Sequence, residues 1–204
     1  MDSADSVNTW LILPEPELDP HQIKTTGTVC GIAFADPAYA ALPASLRALP
    51  THRPAWSFAA LADGEVIGHV MVSMVDLVGE EGSPVQVPSL SPLAVLPGRQ
   101  RRGVGTALIE AVARAVGDAG EPFLVLEGSP AYYGGRGFQD AREHGVTLSL
   151  PDWAPREAGQ LRPLPAYRRI PGRIVYPRPM QAVFDALEGE GAGETEGEGA
   201  GETD

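Results

Sequence analysis

Cysteine occurs once, at Cys30, so no internal disulfide framework can form, and such sparse usage argues for a reducing compartment. Lysine also occurs once, at Lys24, and all bases together number 15 against 27 acids. The resulting net charge of −12 lacks the basic footprint that sequence-independent DNA or RNA binding needs, so no nucleic acid partner is expected. No apolar run approaches the roughly 18–20 residues of a membrane span, and no membrane partner is expected either. The opening Met1-Asp2-Ser3-Ala4-Asp5 is acidic and resembles neither a secretion signal nor a transit peptide, which with the single cysteine points to the cytoplasm. His21, His52, His69 and His144 are too scattered for a recognisable metal site, and no G-x-S-x-G elbow suggests a serine hydrolase. Cys30 sits in an apolar stretch and is expected to be a buried small hydrophobe rather than a nucleophile.

The acid that is present is unevenly placed. Glu188, Glu190, Glu194, Glu196, Glu198, Glu202 and Asp204 supply seven of the 27 acids. All but Asp204 belong to a tandem repeat, Glu188-Gly-Glu-Gly-Ala-Gly-Glu-Thr195, restated from Glu196 to Thr203. Without a large apolar residue this segment cannot offset its ordering entropy, so 188–204 is expected to be a disordered acidic tail. Such a tail is a solvated, solubilising appendage or a contact for a basic partner. Residues 1–187 are then only moderately acidic and suit a single domain with a core at about 20–180.

Within that domain, 20 prolines and 24 glycines predict short, punctuated elements. Residues 22–48 suit one or two helices broken at Pro37 and Pro43. Residues 56–62 and 66–75 read as strands around Asp63-Gly64, a hairpin dipeptide. Residues 85–96 form another strand candidate, bulged or partly unpaired because Pro88 and Pro92 each remove a ladder donor. Val104, Leu108, Ala111, Val112 and Ala115 repeat at helical spacing, which predicts a helix over 103–119 stopped at Gly120. The apolar run 123–126 predicts a strand buried on both faces, and strand–helix–strand in this order predicts a parallel crossover. Short strands are expected near 146–150 and 173–176. Trp10, Trp56 and Trp153 are expected to be core or cleft-lining aromatics. The fold class is α/β, in the α+β sense of a mixed sheet.

One stretch carries chemistry: Leu93-Ala-Val-Leu-Pro-Gly-Arg-Gln-Arg-Arg-Gly-Val-Gly-Thr-Ala-Leu108. A strand ends, an arginine- and glycine-rich turn follows, and a long helix opens at about Gly103. Helix openings expose unpaired N–H groups at the positive end of the dipole, where a phosphate satisfies both. Gly103 and Gly105 lack a Cβ and permit close approach, and Arg99, Arg101 and Arg102 add positive charge. The Walker pattern fails for want of a correctly placed Lys-Ser/Thr, and the dinucleotide fingerprint fails because its third glycine is Leu108.

Gln100-Arg-Arg-Gly103-Val-Gly105 resembles the Q/R-x-x-G-x-G/A motif of the GCN5-related N-acetyltransferases (GNAT). Leu93-x-Val95-x-Pro97 is similar to that family's cofactor strand, and Tyr133-Gly-Gly-Arg-Gly137-Phe138 resembles its Y-x-x-x-G-F segment. The connection Gly128-Ser-Pro-Ala-Tyr-Tyr133 resembles a bacterial branch with G-x-P-x-Y-Y. The likeness is specific over 58–138, loose over 139–180 and absent in the tail. It implies an acyl-CoA N-acyltransferase fold whose two central parallel strands splay apart to admit acetyl-CoA as co-substrate. It also implies that the main chain of Leu93, Ala94 and Val95 aligns the pantetheine arm. The pyrophosphate would lie on the N–H groups of Arg101, Arg102, Gly103, Val104, Gly105 and Thr106, with Gln100 also in the cofactor site.

The implied reaction is direct attack of an amine on a thioester. A lysine-like amine has a pKa of about 10.4 and must lose a proton, while a thiolate with a conjugate acid near 8.5 must be received. The resemblance places the general acid on Tyr133, with Tyr132 its wrong-face neighbour. Glu127, at the end of the buried strand, is the candidate base because burial would raise its pKa. Ser91 stands where some members of the family place a carboxylate, which favours a water relay, and Gly134 and Gly135 weaken the helix that carries Tyr133. The acceptor is a small amine or a protein N-terminus or lysine, on a moderately acidic acceptor side, and the enzyme a monomer or homodimer. The alternative is a non-catalytic acyl-CoA-binding or sensing module.

Overall fold

Asp63 and Gly64 both adopt positive φ, 53° and 84°, as a two-residue hairpin of matching twist requires. In this computed structural model, which describes residues 9–80, 82–150 and 154–193, the turn joins β2 (Phe58–Ala62) to β3 (Glu65–Val78). β3 is the long spine of a nine-stranded mixed sheet. On one side it pairs with β2, which pairs with β1 (Leu11–Pro14). On the other it pairs with β4 (Val85–Val95), while β9 (Gly172–Val175) joins its far end on the β2 side, since Asp76 and Leu77 pair with β4 and β9 alike. Beyond β4 lie β5 (Phe123–Glu127), β8 (Gly159–Pro163) and β6 (Gln139–Asp140), while β7 (Val146–Thr147) pairs with β9. β4 and β5 run parallel, joined through α3 (Val104–Asp118) as the predicted crossover.

The two faces of the sheet are covered differently. Val70, Val72, Leu90, Leu124 and Leu126 pack on Leu108, Ile109 and Val112 of α3. On the opposite face Met71, Val75, Val87 and Val125 meet α2 (Pro37–Arg47) and α5 (Arg178–Gly193) through Leu42, Leu46, Met180 and Val183. Val29 and Cys30 of α1 (Pro20–Phe34) close that face over Ala59, Leu61 and Ala94. Among the described residues no helix is long and apolar enough to cross a membrane.

Several boundaries differ from the sequence expectation. Pro37 occupies the first turn of α2, where its missing N–H costs nothing, but Pro43 lies inside the helix and does not break it. Burial of Leu42, Pro43 and Leu46 outweighs the lost backbone bond. β1 and β8 escaped the sequence reading: each is short, and β8 offers one large apolar residue, Leu161. α5 was also missed. Its backbone is helical as far as Gly193, so residues 188–193, assigned above to a disordered tail, continue a helix anchored by Met180 and Val183. Residues 194–204 and Trp153 lie outside the described residues. Cys30 is fully buried, and burial raises its thiol to about 12, as an inert hydrophobe requires.

A buried polar network ties α1 and α2 to the sheet. Glu15, 8% exposed, accepts from Arg47 Nε at 2.9 Å and from His52 Nε2 at 2.7 Å. Arg47 Nη2 also donates to Thr26 Oγ1 at 3.0 Å and stands 3.4 Å from His69 Nε2. Burial, then the Arg47 charge, depresses fully enclosed His69 to about 3, so its ring is neutral and accepts from Arg47. Burial pushes Glu15 up, but the His52 hydrogen bond and the Arg47 charge outweigh it and hold the carboxyl below its ordinary value. Both groups have lower pKa values folded than unfolded. Their contributions are therefore complete above about pH 6.5 for His69 and about 4.5 for Glu15, and fade as pH falls toward the folded values. Arg47→Met is expected to cost about 3 kcal/mol at pH 7 in urea unfolding, because it strands a buried carboxylate. Adding Glu15→Gln should recover part of that loss.

Candidate active site

β4 pairs with β5 at one register position, Ser89 opposite Val125, although it pairs with β3 along most of its length. The β3–β4 ladder shifts where Val70 and Val72 face Leu93 and Leu90, so Ser91 and Pro92 form the bulge that the prolines predicted. Beyond it the two parallel strands separate. Two clefts of about 470 and 480 Å³ open along this separation, and Leu93 and Tyr133 line both.

The cleft of about 480 Å³ surrounds the opening of α3. Gly103 caps α3 in the left-handed conformation, φ 89°, without a side-chain cap, leaving the first-turn N–H groups open. Arg101, also at positive φ (58°), turns the chain into the helix and lines the cleft with Gln100, Gly105 and Thr106. Gln100 uses its side-chain amide to donate to the Val95 carbonyl at 3.0 Å, locking the turn to the strand end. Leu93 and Val95 face the cleft, whereas Ala94 and Val104 pack in the core and do not line it. Arg102 is exposed and its side chain does not line the cleft. Trp10 packs against the apolar core beside Gly103, a position that bears out its expected role.

Two residues here were missed. Tyr132 lies over the helix opening: a Cβ at Gly105 would overlap its hydroxyl. The Arg136 guanidinium stacks 3.7 Å from the Tyr132 ring centroid, donates to the Tyr132 carbonyl, and donates through Nε to Thr106 Oγ1 at 3.0 Å. The i, i+4 spacing of Tyr132 and Arg136 was the available signal; treating Tyr132 as a bystander obscured it.

Tyr133 stands at the junction of the clefts. It ends α4 (Pro130–Tyr133), and its N–H donates to the Ser129 carbonyl at 3.0 Å. Its ring packs edge-on against Phe138 at 5.5 Å and Tyr132 at 4.9 Å. Gly128 is required below it, since a Cβ there would overlap the ring. Burial first, then Tyr132, raises the Tyr133 phenol well above its ordinary value, so it stays protonated.

The second cleft lies on the α2–α5 face of the sheet, with Glu127 in its wall. Burial raises this carboxyl to about 7, opposed by the neighbouring Tyr176 hydroxyl, although the pair falls outside a formed hydrogen bond. Glu127 Oε1, Ser89 Oγ and the Tyr176 hydroxyl are each buried without a hydrogen-bond partner. Phe34 and Tyr39 stack at 3.9 Å and 9°, and Phe184 meets Tyr176 edge-on at 5.4 Å. Glu127 is the one acid among the described lining residues. Ser91 lines the same cleft, half-buried.

Comparison with known proteins follows this geometry. Residues 16–138 match the family model for the acetyltransferase (GNAT) family. A curated relative, the uncharacterized N-acetyltransferase YjhQ of Escherichia coli (strain K12), is 35% identical over 107 residues, 52% of this chain. The chain spans 59% of that relative's length. Among solved structures, the Escherichia coli GNAT family N-acetyltransferase YhbS in complex with CoA superposes with a TM-score of 0.73 at 25% identity, covering 84% of this chain and 92% of that one. A GNAT family acetyltransferase from Brucella melitensis in complex with acetyl-CoA gives 0.62 at 25% identity, covering 85% and 99%.

Proposed function

Since the chain belongs to the acetyltransferase (GNAT) family, we propose that it transfers an acetyl group from acetyl-CoA to an amine by direct attack. The observation that carries this reading is the meeting, at Tyr133, of an uncapped helix terminus and a cleft walled by a buried carboxyl. The open N–H groups at Gly103–Thr106 and the positive end of α3 suit a pyrophosphate, with Arg101 and Arg136 beside them. Leu93 and Val95, on the strand edge that β5 abandons, line the path from nest to junction.

Acetyl-CoA supplies a thioester carbonyl carbon open to an amine. Glu127, as carboxylate, takes a proton from the attacking amine, directly or through water; with a pKa near 7 it is half ionised at neutral pH, where a general base works well. Tyr133 donates its phenolic proton to the sulfur as the C–S bond breaks and the C–N bond forms. Glu127 answers for the base that Ser91 cannot be.

A thiol-release assay with acetyl-CoA against a panel of amines tests the reading. Release that depends on an added amine supports it; tight CoA binding without release for any amine would leave a binding module. Gly105→Val places a branched side chain in the nest while remaining compatible with a helix. It is expected to weaken CoA binding at least about tenfold by equilibrium titration, the equivalent of about 1.4 kcal/mol.

A further inference from the structure

The cleft beside Glu127 specifies an acceptor as well as a reaction. Ser89, Glu127 and Tyr176 line it, and Ser89 Oγ, Glu127 Oε1 and the Tyr176 hydroxyl lack partners, with Ser89 and Tyr176 more than nine-tenths buried; Ser91, Ser129 and Tyr133 bring further hydroxyls to its wall. Buried polar groups without partners are costly, so a ligand that supplies hydrogen bonds at that spot is favoured. An amine nitrogen carries donors for all three acceptors and a charge to match Glu127. Elsewhere the walls are apolar, with Phe34, Tyr39, Met180 and Phe184 contributed by α1, α2 and α5. Among the described lining residues there is no Arg, Lys or His.

That inventory discriminates. An amino-acid carboxylate or a phosphate would be buried without a counter-charge. A polyamine needs several acids spaced along its length, and among the described lining residues Glu127 is the one carboxyl. A peptide acceptor would bring its amide groups against the aromatic walls at Phe34 and Phe184. A volume of about 470 Å³ lies in the range of small-molecule sites.

We propose that the acceptor is a primary monoamine on an apolar body, aralkyl or branched alkyl, without a carboxylate. The inference rests on the acetyl-transfer reading above, and its test is separable from that reading.

The protein saturated with CoA is titrated with phenethylamine, phenylalanine, spermidine and a short unblocked peptide, and the same compounds are assayed by thiol release with acetyl-CoA. Phenethylamine is expected to bind at least tenfold tighter than each of the others and to show the highest kcat/KM. Phe34→Ala, at a position 39% exposed, should weaken phenethylamine binding several-fold and leave CoA binding unchanged. Equal or tighter binding of phenylalanine, spermidine or peptide would overturn the acceptor class while thiol release still upheld acetyl transfer. Selective phenethylamine binding without thiol release would keep the pocket's specificity and sink the transferase instead.

Discussion

Tyr133→Phe is expected to lower kcat for acetyl transfer by about 100-fold or more, within the range of a lost general acid, while CoA affinity changes by less than about twofold. The substitution removes one oxygen and keeps the ring, and the ring makes the structural contacts. Phe138 and Tyr132 pack against its faces and edge, Gly128 lies beneath it, and the backbone bonds at Ser129 and Phe138 do not involve the hydroxyl. Thermal stability should therefore hold. Burial keeps the phenol protonated well past neutrality, so its loss should appear as a lower plateau and not as a shifted pH limb. The adjacent tyrosine supplies the contrast. Tyr132 has its hydroxyl over Gly105 and its ring under Arg136, so Tyr132→Phe should act on CoA affinity and spare kcat. Unchanged turnover in Tyr133→Phe, measured at saturating acetyl-CoA and amine, would remove the acid from this position.

The division between what was legible in the sequence and what was not follows physical range. The Asp63-Gly64 hairpin, the α3 periodicity and the bulge at Pro92 each depend on neighbours a few residues away, and all three appear where local rules put them. The nest was legible for the same reason, since strand end, turn and helix start are contiguous. The cleft beside Glu127 was not. Its walls come from Phe34, Tyr39, Tyr176 and Phe184, which are distant in the chain and converge only because α1, α2 and α5 share one face of the sheet. Tyr176 looked like the last residue of a strand; its hydroxyl became a site group only through Glu127. α5 was missed because its glycine- and glutamate-rich end resembles a linker, while Met180 and Val183 at its start carry the anchoring. Helix formation there is driven by packing, which propensity does not register.

Glu127→Gln tests the base, and its stability and activity should move in opposite directions. The carboxyl is raised to about 7 by burial, so kcat/KM should climb with pH through about 7 as the carboxylate forms and then level off. An amine's own titration adds a second limb that moves with the acceptor chosen; the limb near 7 should stay fixed across the panel. Glu127→Gln is expected to abolish that limb and lower kcat/KM at pH 8 by about 100-fold or more. For stability the sign runs the other way. A carboxyl whose folded pKa exceeds its unfolded value contributes stability that is complete below about 4.5 and is lost as pH rises through about 7. At pH 9 the native enzyme holds a buried charge at a cost of up to about 3 kcal/mol. Glutamine carries no such charge, so the variant should match the wild type in Tm near pH 5 and exceed it at pH 9. A variant both slower and less stable at pH 9 would make Glu127 a structural residue. A variant slower, more stable and without the limb near 7 would identify the strained carboxyl as the base, with its stability deficit the consequence of keeping it where the amine arrives.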